Sequence, residues 1–277
     1  MANNFKYAVS FAQEAPATAP LPLTGDICEN LRLAAELGYA GLEFHTRENA
    51  PLDIAKIKEA SAECGGRIIA IVTGRLYTQG KLSLLDDDAS VAQAAQQGMR
   101  DYIDLAQAFG VADIIIGWGK GKIPPDGERR IYMQRLAEHL RILGDYARPR
   151  GVRINLEVIN RYETNLLNTA EETCSFLEEY GLDNCLAHLD TFHMNIEESD
   201  PFAAICRCGD RLGYLHVADN TRRCPGSGQL DFTRTLATLK EIGYTGYVTV
   251  ECFPGSDGAA TAEKAIEYLR QCESRLA

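Results

Sequence analysis

Positive charge is in short supply: 28 lysines and arginines against 39 aspartates and glutamates leave a net charge of −11 over 277 residues. Proteins that grip a nucleic-acid backbone carry a basic face, so nucleic acid is excluded as the main partner, whereas a small substrate is not. There is no uninterrupted apolar run of about eighteen residues, the length a membrane-spanning helix needs. The first twenty-five residues also lack a basic start followed by an unbroken apolar core. No membrane partner is expected, and the localisation read from the sequence is cytoplasmic. Cys-x-x-Cys pairs are absent among nine scattered cysteines, an odd number, which argues for reduced thiols. Each cysteine is read as a buried structural residue, with Cys206 and Cys208 inside one helix. Histidine is sparse, at five residues, and a centre built from several imidazoles has little to draw on.

What is present is ordinary for a globular chain: 45% hydrophobic and 24% charged residues, at a length that suits one large domain. Strand-like apolar runs fall near 6–10, 40–45, 67–72, 111–117, 152–158, 185–190, 213–217 and 246–251. Helical patterns follow at 25–38, 51–64, 90–109, 128–148, 169–180, 200–210, 232–242 and 259–275. Strict alternation implies a parallel sheet, and eight units favour closure: the fold class is α/β, a single (β/α)8 TIM barrel over 1–277. Asp231 is positioned to cap the helix that ends at Gly243, and Asn168 or Thr169 precedes the first turn marked by Glu171 and Glu172. The stretch Gln13 to Thr24, with Pro16, Pro20 and Pro22, is too long for a βα turn and is expected to overhang the mouth, as a lid or as a passive loop. Thr73 to Asp88 and Trp118 to Gly127 read as extended loops on the strand-exit side, where this architecture keeps its catalytic groups.

Four apolar runs stop on residues that ligate metals: Ile154-Asn155-Leu156-Glu157, Leu186-Ala187-His188-Leu189-Asp190, Tyr214-Leu215-His216 and Tyr247-Val248-Thr249-Val250-Glu251. The intervals between the last residues are 33, 26 and 35, each about one strand-plus-helix unit, so repetition of the unit brings the four together. Side chains in a strand alternate faces. Ile154, Leu156 and Val158 oppose Asn155 and Glu157; Ala187 and Leu189 oppose His188 and Asp190; Val248 and Val250 oppose Thr249 and Glu251. An all-apolar face belongs against helices and a mixed face towards a barrel axis. Three carboxylates and one imidazole on that axial face describe a site for one divalent cation.

Other candidates have plainer readings beside the functional ones. Gly117-Trp118-Gly119-Lys120-Gly121-Lys122 follows an apolar strand but fails the phosphate-loop fingerprint, because Ile123-Pro124-Pro125 comes next in place of a helix. It is read as a flexible loop whose Lys120 and Lys122 are solvated or, alternatively, meet an anionic substrate group. His188 is read as a hydrogen-bonded core histidine, His45 beside Glu43 as a lesser candidate for substrate contact, His139 as a surface or interhelical residue, and Trp118 as packing or pocket wall.

Three segments then spell a family: Leu156-Glu157-Val158-Ile159-Asn160-Arg161-Tyr162-Glu163, Leu189-Asp190-Thr191-Phe192-His193-Met194-Asn195-Ile196-Glu197-Glu198 and His216-Val217-Ala218-Asp219-Asn220-Thr221-Arg222. They closely resemble the D-tagatose and D-psicose 3-epimerase group of the xylose isomerase-like TIM barrels, densely from about 156 to 253 and by element order throughout. The resemblance implies that Glu157, Asp190, His216 and Glu251 bind one metal ion, manganese, cobalt or magnesium. It implies that Glu163, His193 and Arg222 hold a sugar beside it, and that Glu157 and Glu251 double as the acid and base pair. Removing a proton next to a ketone puts negative charge on oxygen, and a second carboxylate that returns a proton to the other face of the cis-enediolate inverts the carbon. Relatives of this group are commonly dimers or tetramers; the sequence itself carries no reading of oligomeric state.

Val72 to Tyr77 and Gly117 to Lys122 depart from the simple ketohexose enzymes. They look more like a branch that includes 5-keto-L-gluconate epimerase, where Asn160-Arg161-Tyr162-Glu163-Thr164 and His216-Val217-Ala218-Asp219 also recur. A sugar or a sugar acid is therefore the expected substrate, with Arg75, Lys120 and Lys122 as partners for a carboxylate. An aldose–ketose isomerase of the hydroxypyruvate isomerase type uses the same enediolate and is the main alternative. A metal-dependent endonuclease needs more histidines, a non-catalytic sugar-binding or metal-binding barrel would have lost one base, and xylose isomerase proper has a second metal site and a lysine-bearing motif not seen here.

Overall fold

A computed structural model describes residues 5–276. Strand β1 (Lys6–Ala12) is followed by a two-residue β2 (Leu23–Thr24), then β3 (Gly41–His45), β4 (Ile68–Val72), β5 (Asp113–Ile116), β6 (Arg153–Glu157), β7 (Cys185–Asp190), β8 (Leu212–Val217) and β9 (Tyr247–Val250). Every pairing is parallel, each barrel strand lies beside the next, and β9 pairs back onto β1 through Lys6↔Tyr247 to Val9↔Val250. The result is a closed eight-stranded (β/α)8 barrel, with β2 added beside the upper end of β1 at Phe11↔Leu23.

The helices are α1 (Ile27–Leu37), α2 (Ile54–Cys64), α3 (Gly74–Thr78), α4 (Ala89–Phe109), α5 (Arg129–Ala147), α6 (Ala170–Glu179), α7 (Thr191–Glu197), α8 (Pro201–Cys208), α9 (Phe232–Glu241) and α10 (Gly258–Ser274). Alternation along the strands decides which side they cover. Ile154, Leu156, Ala187, Leu189, Val248 and Val250 are fully buried and pack outward with Leu136, Leu140, Leu236 and Leu239 of the helices. Burying a large aliphatic side chain contributes about 1.5–3 kcal/mol, so this shell between strands and helices dominates the stability. The inner face carries a small separate cluster of Ala8, Ile69, Ala70, Val72, Ile115 and Tyr214, with polar pairs such as Thr249 Oγ1 donating to the Tyr214 hydroxyl at 2.7 Å.

Local signals act where the sequence places them. The Asp231 carboxylate accepts from Arg234 N at 2.9 Å at the start of α9. Thr169, not Asn168, caps α6: its hydroxyl accepts from Glu172 N at 3.1 Å while Glu172 accepts from Asn168 N at 2.8 Å. Helices α3 and α7 and strand β2 lie in segments read as connections. They have five, seven and two residues, too few to show a period. Seven cysteines are buried, but Cys64 is half-buried and Cys206 is exposed. That corrects the uniform reading, because α8 turns Ala204, Ile205 and Cys208 inward and Cys206 out. Among the described residues no helix is long and apolar enough to cross a membrane.

Candidate active site

The barrel puts the four predicted ligands at the same end. Glu157 and Asp190 are the last residues of β6 and β7, His216 is the penultimate residue of β8, and Glu251 follows β9 directly. Each offers an atom lying within 4.8 Å of the other three. Register shifts at Leu42/Glu43 and Ala187/His188 re-aim the strand ends next to this cluster. Asp190 Oδ1 accepts from Phe192 N at 2.8 Å and starts α7, which leaves Oδ2 free to face the cluster. Asp190 Oδ2 and His216 Nδ1 are buried with no hydrogen-bond partner among the described residues. Two orphaned polar atoms in a set of three carboxylates and one imidazole fit a hard divalent cation.

His216 is oriented from behind. Its Nε2 donates to Glu43 Oε2 at 2.7 Å, so Nδ1 is the nitrogen turned to the cluster, 3.4 Å from Glu251 Oε2. Glu43 is fully buried, also accepts from Ser10 Oγ at 2.6 Å and has His45 Nε2 at 3.0 Å. This carboxylate was missed as a functional group. The signal was a glutamate inside the apolar strand Gly41–His45, on the same face as a histidine. Carboxylates that hold a ligating imidazole raise its basicity, so Glu43→Gln should weaken manganese binding about 10–100-fold in a calorimetric titration. An unchanged dissociation constant would show that the ring is held by something else.

Glu163, His193 and Arg222 lie beside the quartet. Glu163 accepts from Trp118 Nε1 and Asn160 Nδ2, both at 3.0 Å, and its Oε1 stands 3.9 Å from Arg222. His193, on the first turn of α7, is buried with Nε2 3.8 Å from Asp190 and 3.9 Å from Glu157. Arg222 donates to Glu251 Oε2 at 2.6 Å, reaches within 3.5 Å of Asp190 and covers the Phe192 ring. Its backbone is left-handed, with φ 56°, a conformation that needs support in a non-glycine residue. Asp219 supplies it. The Asp219 carbonyl accepts from Arg222 N at 2.7 Å, and its buried carboxylate accepts from the backbone N–H groups of Asn220, Gly226, Gly228 and Leu230.

The cavity over this cluster measures about 330 Å³ and is walled by Trp118, Ile159, His45 and the segment Glu14–Leu21. The proline-rich stretch thus overhangs the mouth as expected, tied down by Arg75, whose guanidinium donates to the Glu14 carbonyl. The lysine readings need correction. Lys120 is not solvated: it is fully buried, and its Nζ donates to the carbonyls of Glu157 at 2.9 Å and Gly117 at 3.3 Å. A single 3-10 turn over Trp118–Lys120 folds the side chain under β6. Lys122 is exposed and is not among the residues lining the cavity. His188 is a core histidine, but neither ring nitrogen has a hydrogen-bond partner among the described residues; it stacks edge-on against Tyr214 and His216. His139 lies half-buried in α5.

The electrostatics separate the two candidate bases. Burial and the neighbouring Glu251 charge push Glu157 up to about 8. Burial also acts on Glu251, but the His216 and Arg222 charges outweigh it and hold this carboxyl well below the usual range. Two carboxyls on one cavity driven in opposite directions form the arrangement an acid and base pair uses. Burial, reinforced by the Arg222 charge, pulls His193 well below the usual imidazole range.

Known proteins share this fold and part of this sequence. A 3-epimerase acting on L-ribulose, from Methylomonas sp. strain DH-1, is 32% identical over 258 residues, 86% of this chain and 88% of its own length. The 3-dehydro-D-guloside 4-epimerase of Escherichia coli K12 is 29% identical over 265 residues, covering 89% and 95% of the two chains. The crystal structure of a Methylomonas sp. D-allulose 3-epimerase in complex with D-allulose superposes with a TM-score of 0.81 at 28% identity over 96% of each chain. A sequence model built on barrels of this type matches residues 31–272, from within α1 to within α10, and so takes in the ends of β6, β7, β8 and β9 that carry the quartet. By that match and by its closed parallel barrel, the chain belongs to the xylose isomerase-like TIM barrel family.

Proposed function

We propose that this protein is a divalent-metal-dependent sugar epimerase of the ketose 3-epimerase type, inverting the carbon next to the ketone. The observation that carries this reading is the convergence of Glu157 and Glu251, from β6 and from the end of β9, within 4.8 Å of each other and of Asp190 and His216. The chemistry a manganese, cobalt or magnesium ion supplies when held by these four residues is stabilisation of negative charge on the substrate oxygens. One of the two glutamates takes the hydrogen from carbon 3, and the other returns a proton to the opposite face. Glu163, His193 and Arg222 hold hydroxyls around that carbon and fix its orientation. Trp118 and the Glu14–Leu21 segment wall the cavity in which the sugar would sit.

Two arginines line the cavity, Arg222 beside the quartet and Arg75, which shares the lining with the apolar Ala15, Pro16, Ala19 and Leu21. With Lys120 buried, Lys122 outside the lining and Arg222 paired with Glu251, Arg75 is the group left for the carboxylate of a keto-acid sugar. The test is turnover of ketohexoses, ketose phosphates and ketouronates with manganese in heavy water. Deuterium at carbon 3 without aldose formation is the expected result; label at carbon 1 or 2 with aldose would make the enzyme an isomerase. Rates on neutral sugars equal to or above those on ketouronates would remove Arg75 from substrate selection.

A further inference from the structure

Asn160 sits where the loop after β6 meets α7, and it is 1% exposed. Its amide meets three groups. Oδ1 accepts from Tyr162 N at 3.0 Å, and Nδ2 lies 3.0 Å from Glu163 Oε1 and 2.7 Å from His193 Nδ1. A backbone N–H only donates and a carboxylate only accepts, so the amide orientation is fixed twice over, oxygen to Tyr162 and nitrogen to Glu163. Trp118 Nε1, which can only donate, holds the other Glu163 oxygen and keeps that carboxylate in its accepting role.

The second hydrogen of Nδ2 then points at His193 Nδ1, which must carry a lone pair. A neutral imidazole with its lone pair on Nδ1 has its proton on Nε2. A doubly protonated ring would set two donors against each other at 2.7 Å. Nε2 is the nitrogen on the side of Glu157 and Asp190, and His193 lines the cavity.

We propose that Asn160 is a positioning residue that selects the Nε2–H tautomer of His193, making the imidazole a hydrogen-bond donor to the substrate oxygen beside the reacting carbon. The same amide orients Glu163, so one side chain sets a donor and an acceptor at fixed separation along the sugar. The identity of the oxygen rests on the epimerase reading; the tautomer does not.

Long-range proton–nitrogen NMR on histidine-labelled protein, metal-free and magnesium-loaded, reads the tautomer directly, with His193→Gln assigning the signals. A pyridine-like Nδ1 and a pyrrole-like Nε2 are expected, and the reverse pattern overturns the proposal. Asn160→Asp keeps the acceptor for Tyr162 and turns the group facing Nδ1 into an acceptor, which favours Nδ1–H. The variant should lose the Nε2–H pattern, and kcat should fall about fifty-fold with KM within about threefold. That is short of the loss of a whole oxyanion donor, because the ring can still reach the other tautomer. A fall in kcat with the tautomer unchanged, or an unchanged kcat, overturns the assignment. A parent enzyme that epimerises no sugar would sink the functional reading alone and leave the nitrogen shifts to decide the tautomer.

Discussion

Replacing Glu251 with glutamine is expected to lower kcat about 10⁴-fold, the upper end of what one positioned acid–base group contributes. The substitution is nearly isosteric at a position that is 6% exposed. The amide oxygen can still accept from Arg222, which now donates at 2.6 Å. What is lost is the lone pair proposed to take a proton and one negative charge among the four groups proposed to hold the cation. Solvent deuterium should therefore cease to enter the epimer whose carbon 3 hydrogen faces Glu251. Exchange into that epimer at the parent rate would falsify the two-carboxylate mechanism. Melting within a few degrees of the parent shows that the fold is intact, and manganese binding measured in parallel separates loss of the base from loss of the ion.

The barrel and the quartet were legible for one physical reason: both are periodic. Strand alternation gives parity, the βα unit gives spacing, and the bounds of each barrel strand and each of the eight long helices fall within three residues of the sequence pattern. What escaped was set by contacts between distant segments. Lys120 reads as a solvated lysine because nothing in Gly117 to Lys122 says that a 3-10 turn will fold it beneath the Glu157 carbonyl 37 residues later. Glu43 is 173 residues from the imidazole it orients. Asp190 both ends β7 and caps α7, and a helix that begins without a connecting loop leaves no composition signal. Glu163, His193 and Arg222 came from resemblance alone. The fold sets them at the mouth by separate means: the Asn160 amide, the first turn of α7 and the Asp219 staple.

The same hidden packing gives the second large effect, at a glycine whose loop lacks the phosphate-binding fingerprint. A Cβ built on Gly117 would overlap Glu157 Oε2 and stand 3.3 Å from Ile159 Cδ1. Gly117→Ala should therefore displace the Glu157 carboxylate, because the methyl cannot retreat and the backbone behind it is held by Lys120. A shift of about 1 Å in a reacting group costs about 10²-fold, and the same carboxylate is a candidate ligand, so kcat/KM at limiting manganese should fall roughly 10³-fold. Stability should change little, since the collision is with the end of a side chain. A double-mutant cycle with Glu157→Asp isolates the cause: the shorter side chain withdraws the carboxylate from the new methyl, so the double variant should be less impaired than the product of the two single losses. Strictly multiplicative losses would mean that Gly117 acts on something other than Glu157, and the glycine would then be required for the turn rather than for the carboxylate it cradles.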